Sequence, residues 1–374
     1  MKKFQTIIPI IFLAALTFSG CRQGSSIKVE SESFGTLSSG EQAKLFTITN
    51  KSGASVIVTD FGARLVSLLV PDRNGEMKDV AVGYGTLDSL ESGMERFIGC
   101  TIGRFGNRIA HASYTLDGET VRLDPNETLE GEIVHLHGGK DGFDRKLWSS
   151  SIVKDDSRAG VRFSYLSPDG EQGYPGNCDC TVTYWWDDDN HCRIEYTAVT
   201  DKATVINLSN HTYFNLKGEG AGNVLDHDLW VDCDTCLIMN GQRCPDHKEP
   251  VAGGEFDYRT SRRIDSNPLG PNGSDACWLI NDWTGKMKKI ATLYSPDSGI
   301  CMDIDSTEPC LLSWSGAWLT GDAYGKTAPM DPSCGILLET IHVPDSPNQP
   351  QFPTTVLRPG EKYFACTEYH FTLR

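Results

Sequence analysis

The feature that most constrains the fold is a two-residue alternation of apolar and polar side chains, which recurs along the chain from residue 43 onward. In residues 161–165, Val, Phe and Tyr alternate with Arg and Ser, and residues 192–198 repeat the pattern with Cys, Ile, Tyr and Ala. Successive side chains of a strand point to opposite faces, so this alternation predicts strands that each bury one face. Further strands are predicted at residues 55–59, 64–70, 182–186 and 204–208.

Turn sequences separate these runs, and helical patterns are scarce. Residues 72–75, 167–170 and 271–273 combine Gly, Asn, Asp or Pro, which tolerate the backbone conformations of tight turns. Residues 87–97 form the best candidate for a short helix. Since no repeat of blade length is present, the pattern predicts an all-β fold, a large antiparallel β-sandwich, and not a propeller.

The first residues differ from the rest of the chain and predict export. Lys2 and Lys3 precede an apolar run over residues 7–18, which is typical of a signal peptide and too short to span a bilayer as a mature helix. Small residues before Cys21 resemble a bacterial lipobox. We expect a signal peptide over residues 1–20 and a lipidated Cys21 that anchors the chain in the periplasm or at the outer membrane. An ordinary signal peptide that happens to precede a cysteine is the alternative.

Composition limits the domain organisation and the partners. Residues 21–39 are polar and rich in Ser and Gly, which favours a flexible tether, and residues 40–374 contain no obvious linker, which favours a single domain. The net charge of −16 disfavours nucleic acid and anionic membrane surfaces, so contact with a membrane is expected only through the lipid anchor. A small, neutral substrate fits this balance.

The cysteines permit several interpretations. Two close pairs, Cys178 with Cys180 and Cys233 with Cys236, could in principle form a four-thiolate zinc site. An exported chain could instead form disulfides. The strand pattern over residues 179–186 places Cys178 and Cys180 on one face, where free thiols behave as small apolar groups. We favour disulfides or core packing over zinc.

Three histidines stand in unusual settings. Residues 135–139 read HLHGG, in which His135 and His137 share one strand face and the glycines allow close approach of another group. His211 lies between Asn210 and Tyr213, which could orient its ring by hydrogen bonds for proton donation. A structural histidine and a zinc site formed by His135, His137 and His211 are the alternatives.

Two further segments carry candidate polar groups. Residues 103–110 read GRFGNRIA, where arginine offers forked donors to hydroxyls or a carboxylate. Glu339 ends the apolar run over residues 335–338, so partial burial is expected to raise its pKa towards that of a general base. An ion pair with Arg108 is the structural alternative. Aromatic rings that could stack on a sugar occur near these segments, at Tyr213, Trp278, Trp314 and Trp318.

Together these motifs resemble the aldose 1-epimerase (galactose mutarotase) family. Members carry a GR..NRIA segment, an HGG segment, an NL(S/T)NHxYFNL segment and an LLET-to-NQP segment in that order, and all four occur here, at residues 103–110, 137–139, 207–216 and 337–350. Residues 142–148, 170–176 and 357–363 extend the similarity to nearly the whole chain after the tether.

The resemblance implies a fold of the galactose mutarotase type, a supersandwich, and an anomer-interconverting enzyme that needs no cofactor and no metal. It implies that Glu339 is the general base for the anomeric hydroxyl and that His211 is the general acid for the ring oxygen. It also implies that Arg108, His137, Asp275 and Asn107 hold sugar hydroxyls, with Trp314 beside them. The zinc interpretation is therefore less favoured, because the resemblance gives His137 and His211 other roles.

One position departs from the family pattern. The family often has a glutamine and an aromatic residue in the stretch that here reads CLLSWSGA, at residues 310–317, and Leu312 stands where the glutamine is common. Loss of that polar contact leaves the preferred sugar open among galactose, glucose, arabinose and xylose.

Three other functions compete with this interpretation. A non-catalytic carbohydrate-binding lipoprotein could keep the fold and the sugar contacts, although it would not need both Glu339 and His211. A glycoside hydrolase needs two carboxylates at the scissile bond, and no second one has a comparably apolar setting. A phosphosugar epimerase would need additional basic residues near the site.

Overall fold

The computed structural model of the chain describes residues 26–266, 276–317 and 319–374. Within them the structure is almost entirely antiparallel sheet, as predicted. The α-helix Leu87–Ser92 is shorter than the predicted 87–97, because Gly93 adopts an extended conformation and ends it. The Thr86 side chain caps its first turn by accepting a hydrogen bond from the Ser89 amide. Short 3₁₀ turns lie at Phe143–Arg145, Glu171–Gly173, Ile264–Ser266 and Ser346–Asn348.

The chain begins with a five-stranded meander in which each strand pairs with the next along the sequence. Its strands are Lys28–Thr36, Gln42–Thr49, Ser55–Thr59, Arg64–Pro71 and Met77–Asp79.

The first of these strands corrects one expectation. Residues 28–36 were expected in the flexible tether, but they pair along their length with Gln42–Thr49. The reason is that Val29 and Phe34 find apolar partners in two core clusters, which the polar composition of the segment did not reveal. The predicted signal peptide, residues 1–20, and Cys21 lie outside the described residues.

Two large sheets form the body of the fold. The nine-stranded sheet contains, in spatial order, Ser149–Lys154, Arg158–Ser167, Cys178–Asp187, His191–Thr200, Tyr363–Leu373, Ile300–Ser306, Lys288–Tyr294, Asp228–Val231 and Arg262–Arg263. The seven-stranded sheet contains Pro245–Pro250, Cys233–Met239, Ala276–Ile280, Cys310–Trp314, Ile336–Ile341, Tyr213–Phe214 and Ala81–Val82.

The inner faces of these sheets share one hydrophobic core. Val182 and Ile194 of the nine-stranded sheet belong to the same buried cluster as Leu311 and Leu338 of the seven-stranded sheet, together with Val56 of the N-terminal meander. This face-to-face packing is the sandwich that the alternating pattern predicts. The predicted buried face of His191–Thr200 is confirmed, since every second side chain from Cys192 is buried.

Smaller sheets complete the fold at the edges of the sandwich. A three-stranded sheet contains Glu127–Leu129, Glu132–Leu136 and Arg108–Ala110. Two-stranded pairs join Ser113–Leu116 with Glu119–Arg122, Thr204–Val205 with Val356–Leu357, and Thr101–Ile102 with Ser209–Asn210. The strand predicted at residues 204–208 therefore ends early, at Val205. Within the described ranges, no helix has the length and apolar character needed to cross a bilayer.

The cysteines of the described residues are buried free thiols. Cys178 and Cys180 share one face of their strand, with their sulfur atoms 3.5 Å apart, as the alternation predicts. Core packing is therefore the interpretation that the structure favours for this pair. The four-thiolate site and the disulfides do not form among the described residues, where no cluster of three metal-ligating side chains is found.

Candidate active site

A cavity of about 450 Å³ opens on the face of the seven-stranded sheet that points away from the shared core. Residues from the three-stranded sheet and from the loop before Tyr213 close its other sides. The cavity is lined by all the catalytic and sugar-binding residues within the described ranges that the family resemblance implies: Asn107, Arg108, His137, His211, Trp314 and Glu339. Asp275 lies outside the described residues.

Glu339 reaches the cavity because its strand alternates between two faces. Ile336 and Leu338 of Ile336–Ile341 point into the shared core, whereas Leu337 and Glu339 point into the cavity. The Glu339 side chain is fully buried, and neither carboxylate oxygen has a hydrogen-bond partner. This burial raises the pKa of Glu339 to about 8, although the positive charge of Arg108 acts in the opposite direction.

His211 is held by its backbone and by neighbouring rings. Its amide donates to the Cys100 carbonyl at 2.9 Å, and its carbonyl accepts from Gly99 at 2.8 Å. The expected orientation by Asn210 is wrong, because the Asn210 amide group donates to Gly99 and to the Tyr184 hydroxyl instead. Nδ1 of His211 is buried without a hydrogen-bond partner, and burial lowers the pKa of His211 to about 4.

His137 lies beside His211, and its neutral ring is positioned to donate a hydrogen bond. The two ring centroids are 5.0 Å apart. Nδ1 of His137 accepts a hydrogen bond from the Asn107 amide at 3.0 Å, so the proton of the neutral ring resides on Nε2. Burial, together with the positive charges of nearby groups, holds the pKa of His137 well below its usual range.

Arg108 provides a positive charge to the cavity without an ion pair to Glu339. Its guanidinium forms a bidentate pair with the Glu127 carboxylate, at 2.7 and 2.9 Å. The suggested structural pairing of Arg108 with Glu339 is therefore wrong. Its backbone is fixed as well, because the Arg108 carbonyl accepts from the Asp345 amide at 2.8 Å. Asp345 belongs to the NQP segment, which thus positions the arginine strand.

Glycine is required at position 138 because the backbones of two motifs lie too close together for a side chain. A side chain at Gly138 would place its Cβ 1.7 Å from the Gly103 carbonyl oxygen, and Gly138 also has a φ of +84°. The predicted close approach at HGG is confirmed, and the group that approaches is the backbone of the GRFGNRIA segment. The two motifs form one wall of the cavity.

Comparison with known proteins identifies the family of the chain. The sequence model of the family described as aldose 1-epimerase matches residues 44–370. The chain belongs to the aldose 1-epimerase family. The family was inferred above from four motifs, and that inference is confirmed.

Relatives of the family are similar over most of their length. An aldose 1-epimerase of Escherichia coli K12 is 37% identical over 89% of this chain and 96% of its own. A human galactose mutarotase is 34% identical over 85% of this chain and 91% of its own. The crystal structure of a galactose 1-epimerase from Lactobacillus acidophilus superimposes with a TM-score of 0.79 and 25% identity, over 93% of this chain and 99% of that one. The expected galactose mutarotase fold is confirmed.

Two residues of the epimerase motifs serve the scaffold and do not enter the cavity. The Arg104 guanidinium is buried and donates to the carbonyls of Pro175 and Gly176, within the segment GYPG. His135 bonds the Asp124 carbonyl through Nδ1 and the Tyr174 hydroxyl through Nε2, both at 2.7 Å. Both ring nitrogens of His135 are therefore occupied.

The expectation that His135 and His137 share a face is wrong. The strand Glu132–Leu136 ends between them, and His137 adopts a left-handed backbone conformation with a φ of 48°, which turns its ring into the cavity. The three-histidine zinc arrangement of His135, His137 and His211 is thus not formed.

Several cavity residues of this epimerase were not identified from the sequence. Phe97 packs on both histidines, with ring centroids 4.7 Å from His137 and 6.0 Å from His211. Glu95 is another carboxylate that lines this cavity, and burial raises its pKa. Both lie after the helix in a segment without strand alternation, so no local signal marked them. Arg243 and Phe256 also line the cavity.

The aromatic candidates divide between the cavity and the core. Trp314 and Tyr213 line the cavity with ring centroids 5.5 Å apart. Trp278 is fully buried, and its indole donates to the Phe256 carbonyl, so it belongs to the core. Trp318 lies outside the described residues. Leu312 pairs directly with Glu339 across the two strands, which makes the wall beside the carboxylate apolar.

Proposed function

We propose that this chain catalyses the interconversion of the α and β anomers of a free aldose of the galactose or glucose type. One observation carries the proposal. Glu339 and His211 come from distant parts of the sequence, line the same cavity of about 450 Å³, and are both buried with unpartnered polar atoms. Unpartnered buried polar atoms are costly, and a bound sugar would satisfy them.

The reaction requires one base and one acid. Glu339 takes the proton of the anomeric hydroxyl while His211 donates a proton to the ring oxygen, and the bond between the anomeric carbon and that oxygen breaks. The product of this step is the open-chain aldehyde. After rotation about the bond to the aldehyde carbon, the two residues exchange roles and the ring closes with the hydroxyl on the opposite side.

The pKa values of Glu339 and His211 leave one titratable proton on the two side chains, which is the number that this reaction needs. Between about 4 and about 8 the pair holds one titratable proton, on Glu339 in the resting site. Transfer of that proton to His211 creates the reactive pair of carboxylate and imidazolium without any exchange with solvent. The Arg108 charge lowers the pKa of Glu339, which favours its carboxylate form, and it also lowers the pKa of His211, which favours return of the proton from the imidazolium.

Other cavity residues would hold the sugar. His137 presents an Nε2 proton, and Arg108 presents its guanidinium, to sugar hydroxyls. Asn107 and Asp275 are proposed as further hydroxyl contacts, and Trp314 as an apolar surface for the pyranose ring. We propose no cofactor and no metal for this chemistry.

Polarimetry of freshly dissolved α-anomers tests the proposal directly. The purified chain is expected to accelerate the change in rotation of at least one of galactose, glucose, arabinose and xylose above the spontaneous rate. A chain that binds these sugars without accelerating mutarotation would be the non-catalytic binding protein considered above. The sugar panel also tests whether Leu312 shifts the preference away from the galactose of the relatives.

We further propose that the chain acts outside the cytoplasm as a membrane-anchored lipoprotein. Support comes from the sequence before the described residues, where Lys2, Lys3 and the apolar run precede Cys21. A lipid on Cys21 would tether the enzyme, so its substrate would be a sugar that has not yet entered the cytoplasm.

A further inference from the structure

A second cavity, of about 470 Å³, shares no lining residue with the first. It lies where the strand that carries Glu339 ends, so that His342 enters this cavity only three positions along the chain. Its other walls are formed by the loop that contains Trp283, by Ile206, by the strand Val356–Leu357 and by the start of Tyr363–Leu373.

A buried carboxylate and an imidazole lie in this cavity. Oε2 of Glu308 is 2.6 Å from Nδ1 of His342, and the Glu308 side chain is only 3% exposed. Burial alone would lower the pKa of His342, but the Glu308 carboxylate outweighs it and raises the pKa. The Glu308 carboxylate therefore stabilises the protonated form of the imidazole, and at the rim the exposed Glu361 and Lys362 are neighbours of opposite charge.

Two hydrogen bonds with the Asn207 side chain hold the backbone that carries the imidazole. The His342 amide donates to Oδ1 of Asn207 at 3.1 Å, and the Asn207 amide group donates back to the His342 carbonyl at 3.3 Å. With Nδ1 bonded to Glu308, the other ring nitrogen, Nε2, is left for a ligand. The pair is thus pre-positioned, as a binding site requires.

Two further groups favour a ligand in this cavity. Thr355 is 5% exposed, lines the cavity, and has a buried hydroxyl without a hydrogen-bond partner. Trp283 is half-buried, and its indole ring meets the His342 ring edge to face, at a centroid distance of 6.0 Å. The indole nitrogen is occupied by the Thr307 carbonyl at 2.7 Å, so the ring surface remains for apolar contact.

We propose that this cavity is a second binding site for a neutral saccharide, distinct from the catalytic cavity. The combination of an indole face, a carboxylate, an imidazole and a hydroxyl matches the apolar face and the hydroxyls of a pyranose ring. An anionic ligand would face the Glu308 carboxylate and the −16 charge of the chain. A cation would have to displace the His342 ring, which already occupies the Glu308 carboxylate. The inference rests on the chemistry of this cavity and not on the proposed catalytic function.

The test uses ¹⁹F NMR of the full chain labelled with 5-fluorotryptophan, in a buffer free of glycerol and saccharide detergents. The chain has eight tryptophans, and the resonances of Trp283, Trp314 and Trp230 are assigned by single Trp→Phe variants. The probes are the methyl β-pyranosides of galactose and glucose, which have no anomeric hydroxyl and so cannot react. Trp283 reports the second cavity, Trp314 the catalytic cavity, and Trp230 serves as the control.

We expect a saturable shift of the Trp283 resonance and none of the Trp230 resonance. His342→Gln should weaken the Trp283 titration about tenfold or more and leave the Trp314 titration unchanged. Thermal unfolding of the variant confirms that it is folded. A Trp283 resonance that stays fixed up to about 100 mM probe, or that responds equally in the His342→Gln variant, would overturn the proposal.

Mutarotation is measured separately, so the two hypotheses can fail independently. Absent mutarotation with an intact Trp283 response counts against the proposed function only. Normal mutarotation with an unresponsive Trp283 counts against the second site only.

Discussion

Replacement of Glu339 by glutamine should lower the rate of catalysis and raise the stability of the fold. The substitution keeps the shape of the side chain and removes the base, so the mutarotation rate should fall by about 10²–10⁴-fold, the usual contribution of a positioned base. Sugar binding should persist, because Arg108 and His137 are untouched. The loss should therefore appear in kcat and leave KM nearly unchanged.

At neutral pH the same substitution should raise the free energy of unfolding relative to that of the wild type. The pKa of Glu339 rises from 4.5 when exposed to about 8 in the fold. As pH rises from 4.5 to 7, the unfolded chain loses this proton and the folded chain keeps it, which lowers the free energy of unfolding by about 3 kcal/mol. Glutamine has no proton to lose, so the variant avoids this decrease.

Urea unfolding at about pH 5 and about pH 7 measures this effect. The stability advantage of Glu339→Gln over the wild type should grow by about 2–3 kcal/mol between the two conditions. Asp60→Asn is the matched control for catalysis, because Asp60 is also a buried carboxylate with a pKa raised to about 6, yet it does not line the cavity. Its mutarotation rate should stay near that of the wild type. A rate for Glu339→Gln within tenfold of the wild type, or a stability difference independent of pH, would refute the reasoning.

Three further predictions follow from the geometry. The kcat/KM of the wild type should be bell-shaped with pH, because kcat/KM reports the pKa values of the free enzyme. Below about 4 both His211 and Glu339 are protonated and no base remains, and above about 8 no proton remains to donate. A profile that is flat across this range would contradict the assignment. Gly138→Ala should lower the free energy of unfolding by more than about 3 kcal/mol, because its Cβ would collide with a backbone carbonyl. The control, Gly118→Ala, has a φ of +85° in open space and should cost only about 1 kcal/mol. Equal costs of the two variants in thermal unfolding would argue against the collision. Cys21→Ser should abolish incorporation of labelled palmitate and release the enzyme from the membrane fraction, and continued labelling would exclude lipidation at this cysteine.

Local patterns in the sequence determined the fold class and predicted the pair, Glu339 and His211, that is proposed for catalysis. The alternation at Cys192–Ala198 requires one buried face because side chains alternate along a strand. The apolar run before Glu339 indicated burial for the same reason, and the four ordered motifs indicated the family. These properties depend on residues that are close together in the chain, so they can be predicted from the sequence alone.

Contacts between distant segments were decided only by the tertiary structure. The chain alone could not show that His137 turns towards His211 while His135 turns away, because a single left-handed residue at a strand end sets that difference. Nor could it show that Arg108 pairs with Glu127, that Phe97 packs over both histidines, or that residues 28–36 pair as a strand. Each of these depends on which surfaces the sheets bring together, and a distance in space has no fixed relation to a separation along the chain.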